Sequence, residues 1–368
     1  MYLIKLAAVG ASLAFLILIL VWLKSGKNLK EKFSRLLWTS VFVTLDLIMF
    51  GSFTRLTDSG LGCPDWPGCY GFASPFSAHK EIQAAQLAFP DGPVSFFKAW
   101  IEMLHRYFAI ALGSLIIFQL FTVIRHRKNL NVSLFWPTAI LMMVLIQGAF
   151  GAWTVTLKLQ PIIVSIHLIL GVVLLCMLTW FATQQNVQII QVNQLGINKF
   201  RWFILGGLGI VIIQIALGGW VSANYAVLAC PDFPLCHGQI IPPMDFSQGF
   251  HLWRLLGQNK YGEIISNEAL TAIHWTHRMF AIVVVAYLFI MIYKLYRFMA
   301  IRRYLNFLIA LIFMQVATGL SNIIFQWPLI NAVMHNGMAA LMALALTIIT
   351  FYSFQPTSQL KLSQAKSS

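Results

Sequence analysis

Charge is scarce in this sequence. Only 10% of its 368 residues are Asp, Glu, Lys or Arg, while 59% are hydrophobic. An ordinary soluble domain carries about 25% charged residues. The shortage excludes a soluble fold, because a water-facing surface of this size needs more polar side chains than the chain supplies. Acidic residues are scarcer still, 11 against 25 basic. The positive excess sits in short clusters between apolar runs, with no basic face interleaved with aromatics, so no nucleic-acid partner is expected. Glycine supplies no nucleotide loop: Gly206, Gly207 and Gly209 fall inside an apolar run, which removes dinucleotide redox chemistry. Three or four metal ligands at close spacing are also missing.

What is abundant is long apolar runs. A spanning helix needs about 20 mostly apolar residues, and nine runs qualify: 2–23, 36–53, 99–124, 134–156, 161–182, 201–223, 271–297, 304–324 and 329–352. The expected class is an all-α integral membrane protein embedded in a lipid bilayer. No small-x-small cleavage site follows the first run, so it reads as an uncleaved anchor. Alternate loops collect 16 of the 25 basic residues: Lys24, Lys27, Lys30, Lys32 and Arg35, then Arg125, Arg127 and Lys128, then Lys199 and Arg201, then Lys294, Arg297, Arg302 and Arg303, and finally Lys361 and Lys366. The positive-inside rule makes that side cytoplasmic. Residue 1 and the long loops 54–98 and 224–270 then face the periplasm, and the C-terminus the cytoplasm. The Asn131-Val132-Ser133 triplet falls on the cytoplasmic side and is discounted as a glycosylation site.

The chain repeats itself. Gly51–Gly71 and Gly218–Gly238 both contain Cys-Pro-Asp-aromatic-Pro-x-Cys, offset by 167 residues. Glu102-Met-Leu-His105-Arg106 is echoed by His274-Trp-Thr-His277-Arg278. Gln147 matches Gln315 and His167 matches His335, both at offset 168. The expected architecture is two pseudo-repeated four-helix transmembrane bundles plus one extra N-terminal transmembrane helix. The divisions are an anchor and basic loop at 1–35, a first bundle at 36–182, a linker at 183–200, a second bundle at 201–352 and a tail at 353–368. Parallel repeats of this kind do not suggest an inverted-repeat transporter.

Cys63 and Cys69 lie in the first outer loop, Cys230 and Cys236 in the second, at equal spacing. An oxidising compartment favours two local disulfides; one zinc site closed by all four is the rival reading. Cys176 stands alone in an apolar run as a packing residue.

Ionisable groups inside a spanning helix are functional candidates by default. His105, His167, His277 and His335 are each the seventh residue of their runs, counted from the outer end. All four therefore sit at one depth, about 10 Å in at 1.5 Å per residue. In an up-down bundle the second and fourth helices are diagonal, so each pair faces across a core, as ligands gripping a haem iron do. Gly113 and Gly171 are expected to admit a flat macrocycle. A single such histidine is often only a hydrogen-bonded core group, and imidazole also suits copper and zinc; two matched pairs favour haem. Glu102, one turn before His105, has no acidic counterpart in the second half, where His274 stands. It is either a proton-handling carboxylate beside the macrocycle or merely the partner of Arg106. The first reading makes the first half a reaction chamber and the second a redox relay. Arg106, His274 and Arg278 are supporting candidates, whereas His79, His126, His237 and His251 read as solvated loop residues.

On these residues the sequence resembles the haem A synthase family over about 36–352. The resemblance implies oxidation of the C8 methyl of haem O to a formyl group. A first oxidation gives an alcohol; a second gives a geminal diol that loses water. It implies that His105 and His167 flank substrate haem O, that His277 and His335 ligate a resident haem b, that Glu102 is the catalytic carboxylate and that Cys63 and Cys69 are the functional cysteines. The implied partners are haem O, the haem O synthase that supplies it, terminal oxidase assembly and an electron acceptor the sequence does not name. The implied setting is a bacterial inner membrane. The helix at 2–23 departs from the family's eight-helix plan. Two other functions fit the histidines alone: a quinol-linked dihaem b-type electron carrier, and a haem transporter or chaperone.

Overall fold

A computed structural model describes residues 2–26, 28–185 and 196–355. Lys27, Lys361 and Lys366 lie outside the described residues, as do much of the expected linker at 183–200 and nearly all of the tail at 353–368. The described chain is helical: α1 (Tyr2–Lys24), α2 (Leu29–Leu56), α3 (His79–Ala88), α4 (Phe96–Leu130), α5 (Phe135–Thr156), α6 (Pro161–Gln185), α7 (Arg201–Ala223), α8 (Phe246–Gly249), α9 (Asn267–Leu295), α10 (Arg302–Ile324) and α11 (Leu329–Ser353). Nine of the described helices are long and apolar enough to cross a membrane. Extended backbone among the described residues is limited to isolated bridges in the outer loops. Helices are the expected solution, since a lipid-exposed segment must satisfy its own backbone polar groups.

Local signals fix the helix ends. Ser95 and Ser266 hold equivalent places before α4 and α9, and each side chain accepts from the backbone N–H three residues on, at 3.2 Å, a standard N-cap. Asn131 closes α4 in the left-handed region at φ 54°. Asn28 caps α2, whose first residue, Leu29, lies seven residues ahead of the expected start, so Lys30, Lys32 and Arg35 belong to a helix rather than a loop. The apolar count begins too late there because the first turn of the helix is polar. His126 also lies in a helix, at a non-helical kink in the last turns of α4.

Helices α2, α4, α5 and α6 form one ring of neighbours and α7, α9, α10 and α11 another, with α4 diagonal to α6 and α9 diagonal to α11. The rings meet where α2 and α6 pack on α7 and α11. Helix α11 is the most enclosed: every residue from Met342 to Ser353 is buried. Pseudo-equivalent residues touch at the outer end of this seam. Arg55 Nη2 donates to the Ser222 carbonyl at 2.9 Å, and Tyr225 Oη donates to Asp58 at 2.6 Å; both pairs are 167 residues apart.

The additional helix α1 packs on the outside of α4. Its outer end reaches the first cysteine loop, where Leu6 is buried with Cys63 and Cys69. Gly10 makes the close approach possible, since a Cβ there would overlap Ile110. Small residues at such crossings are how membrane helices associate without a hydrophobic driving force. Gly10→Leu is expected to cost about 1–3 kcal/mol through overpacking. The measurement is detergent thermal unfolding together with cross-linking of α1 to α4; unchanged stability and cross-linking would refute the packing.

Candidate functional site

The two outer loops fold alike. Cys63–Cys69 and Cys230–Cys236 are disulfides, each with Cα atoms under 5 Å apart (4.9 and 4.8 Å). The four cysteines therefore do not close a shared zinc site. Asp65 accepts the backbone N–H groups of Tyr70 and Gly71, and Asp232 those of His237 and Gly238 at 2.7 and 2.8 Å. The Gly238 amide leads in holding the Asp232 carboxyl below the usual carboxylate range. His237 is part of this turn rather than free in solvent: its Nε2 lies 2.8 Å from the Ala229 carbonyl. His79 opens α3, with its ring against Phe96.

An arginine clamps each loop to the helix below it. Arg106 Nη1 donates to the carbonyls of Asp65 and Gly68. Arg278 Nη1 donates to the equivalent carbonyls of Asp232 and Leu235, at 2.8 and 3.2 Å. Beneath each clamp the units differ. Glu102 takes Arg106 Nη2 on one oxygen and the Cys63 N–H, at 2.8 Å, on the other. Glu102 and Arg106 are only 5% and 8% exposed, so this is a buried, hydrogen-bonded ion pair. His274 occupies the same joint in the second unit, with Nδ1 3.2 Å from the Cys230 N–H and Nε2 3.2 Å from Arg278 Nε. A neutral imidazole accepts on one nitrogen only, so it satisfies one donor where the carboxylate satisfies two. The pairing of Glu102 with Arg106, left open by the sequence, is present.

The four histidines stand as two facing pairs. His105 and His167 are electrostatic neighbours, as are His277 and His335, and all four are half-buried. Because α4 and α9 begin outside the apolar runs, His105 and His277 are the tenth and eleventh residues of their helices, whereas His167 and His335 remain the seventh.

Each imidazole packs on a glycine of the preceding long helix of its ring. A Cβ would stand 3.1 Å from the His105 ring at Gly51, 3.2 Å from His167 at Gly151, 3.0 Å from His277 at Gly218 and 3.2 Å from His335 at Gly319. These four glycines carry the close approach of the imidazoles to their neighbouring helices. A Cβ at Gly113 would meet nothing within 4 Å, and one at Gly171 would meet Gln147 and Ile48. The repeat offsets, 167 for Gly51 and Gly218 and 168 for Gly151 and Gly319, were the signal that could have found them.

The polar surroundings of the two pairs differ. Gln214 Nε2 lies 3.1 Å from His277 Nδ1. His335 has Gln315 Nε2 3.2 Å from its Nε2 and Thr318 Oγ1 3.0 Å from its Nδ1. Among the described residues, the rings of His105 and His167 take no side-chain hydrogen bond. Gln147 donates instead to the His167 backbone carbonyl, and His167 Nδ1 is buried without a partner. Leu47 stands where Gln214 does, and Phe150 where Thr318 does. Gln214 and Thr318 went unnoticed in the sequence because neither is repeated.

The fold and these pairs define a multi-pass, all-helical membrane protein built around intramembrane imidazoles. The sequence profile of the COX15-CtaA family, cytochrome oxidase assembly proteins, matches residues 34–347. A protein named haem A synthase from Shewanella oneidensis is 36% identical over 325 residues, covering 88% of this chain and 97% of its own. One from Caulobacter vibrioides is 27% identical, covering 81% and 90%, and one from Halalkalibacterium halodurans 25%, covering 78% and 86%. The chain belongs to the cytochrome oxidase assembly protein family.

The clamp makes a measurable prediction. Glu102→Gln or Arg106→Gln alone leaves one buried partner uncompensated, at about 3–5 kcal/mol, whereas the double variant costs less than the sum. Denaturation of all three variants in one detergent tests this; strictly additive losses would refute the pairing.

Proposed function

We propose that this chain is a haem A synthase, an oxidoreductase converting the C8 methyl of haem O to a formyl group through a hydroxymethyl intermediate. It thereby provides haem A for cytochrome c oxidase assembly. The observation that carries the reading is the two facing pairs of membrane-buried imidazoles, one per unit, in a chain of this family. The residues fit a macrocycle: a Cβ at Gly113 would meet nothing within 4 Å, each imidazole packs on a glycine rather than a side chain, and buried acceptors on Gln147, Gln214 and Gln315 have no partner among the described residues. In this reading the first unit spans 36–182 and the second 201–352. The cysteine loops and N-terminus are periplasmic, the C-terminus is cytoplasmic, and the membrane is the bacterial inner membrane.

His277 and His335 would hold haem b, which would supply redox capacity for the oxidation. Gln214, Gln315 and Thr318 orient those two imidazoles from behind, as outer partners of metal-bound histidines do. Such fixed rings suit a group that stays. His105 and His167, without side-chain partners, suit a substrate haem O that must enter and leave. Glu102 lies one turn from His105 on the same helix. Its carboxylate is the group in this unit able to hold or move the proton released when the methyl group is oxidised. Arg106 keeps it in place, and the Cys63 N–H ties its position to the cysteine loop.

Two measurements test the assignment. Haems extracted from membranes co-expressing the chain with a haem O source should include haem A. Glu102→Gln, which keeps the side chain's size but offers one acceptor where the carboxylate offers two, should lower haem A per folded molecule by about 10²–10⁴-fold while haem b stays bound. Haem O or its hydroxylated form should accumulate. A wild type that makes no haem A would favour a dihaem carrier, and normal haem A from Glu102→Gln would remove Glu102 from the chemistry. Separately, His277→Ala or His335→Ala should abolish the resident low-spin spectrum, and Thr318→Val should weaken haem b retention about 10–100-fold. Full haem b in the histidine variants would overturn the ligand assignment.

A further inference from the structure

The end of the molecule opposite the cysteine loops carries a second built feature. Helix α1 packs on α4 and only lightly on α2, although the short connection 25–28 joins their basic ends. A groove of about 990 Å³ lies between them. Its walls are apolar, formed by Ile17, Leu20 and Val21 from α1 and by Trp38, Phe42 and Val43 from α2. Its mouth carries Lys24, Lys30 and Arg35 against one carboxylate, Glu31, with the amides of Asn131 and Gln185 beside them. Arg35 pairs with Glu31 at 2.8 Å and donates to the Lys24 carbonyl. It thus stitches the end of α1 to the start of α2 and neutralises the carboxylate. The side chains of Lys24 and Lys30 have no hydrogen bond or ion pair among the described residues, so the mouth presents two uncompensated ammonium groups above an apolar slot.

That combination selects its occupant. A soluble anion would have no use for the walls. A neutral hydrocarbon would have no use for the lysines. A zwitterionic lipid would bring its own cation to a cationic mouth. We propose that the groove between α1 and α2 binds an anionic phospholipid, its phosphate held by Lys24 and Lys30 and an acyl chain lying along Trp38, Phe42 and the α1 wall. Basic clefts between spanning helices at the polar boundary recognise anionic headgroups by this chemistry. The aromatic Trp38 suits the same boundary.

The test uses the full chain, purified in neutral detergent and stripped of lipid. Native mass spectrometry and thermal unfolding are followed as phosphatidylglycerol or phosphatidylcholine is added back. Phosphatidylglycerol should be retained at roughly ten-fold lower concentration, since each lysine near a phosphate is worth about one such factor or less. The preference should shrink as salt is raised. A Lys24→Gln, Lys30→Gln double variant should bind both lipids alike while keeping the wild type's haem content. The salt series on the wild type gives an independent reading should that variant express poorly. Equal binding of the two lipids by the wild type would overturn the proposal. So would an undiminished preference in the double variant, or equal protection by inorganic phosphate. None of these outcomes depends on haem A formation.

Discussion

The arginine at the top of each bundle is the contact on which the rest of the outer face depends. A polar loop can sit against a membrane bundle only if its backbone groups find partners there. Arg106 and Arg278 provide them by donating to matched carbonyls in the two cysteine loops. Each arginine directly follows a site histidine in sequence. The clamp therefore fixes loop position and imidazole register together: a loop that moves must pull on the helix that presents the ring. The disulfide and the aspartate turn stiffen the loop internally, but the arginine is what fastens it to the helix.

On this shared scaffold the units diverge at a few positions, and the divergence is chemical. Glu102 faces His274 across the repeat, Leu47 faces Gln214, and Phe150 faces Thr318. The first unit keeps a carboxylate and leaves its imidazoles without side-chain partners. The second gives up the carboxylate and holds its imidazoles with amides and a hydroxyl. Exchange and acid–base work are compatible with the first set, and permanent retention with the second. Two lines of difference, one at the clamp and one behind the rings, thus point the same way in the proposed division of labour between the halves.

Much of this was legible without coordinates because membrane physics simplifies the alphabet. Runs near 20 apolar residues can be little but spanning helices, and an exact Cys-Pro-Asp-aromatic-Pro-x-Cys repeat locates both loops and, with the compartment, both disulfides. Matched depth placed four histidines in pairs. What failed needed register or partner identity. The glycines under the rings, Gly51, Gly151, Gly218 and Gly319, lie on neighbouring helices, and a contact across helices is not reported by spacing within one helix. The start of α2 was missed because its first turn is charged and only the Asn28 cap marks it. The engagement of Glu102 by the Cys63 amide depends on a contact 39 residues away in sequence, which local spacing does not report.

The seam between the halves explains why the duplication is useful in one chain. At the axis of a symmetric homodimer, a residue meets its own copy or contacts are made twice over. An Arg55 there would meet Arg55, a like-charge contact that costs energy in a low-dielectric setting. Here the equivalent of Arg55 is Ser222 and that of Asp58 is Tyr225. The guanidinium accordingly finds a carbonyl and an aromatic face, its carbon 4.0 Å from the Tyr225 ring centroid, while the carboxylate finds a phenol. Fusion freed each side of the axis to become the complement of the other. The same freedom allows Glu102 to exist where the second unit has His274, and so allows the surroundings of the two pairs of imidazoles to differ.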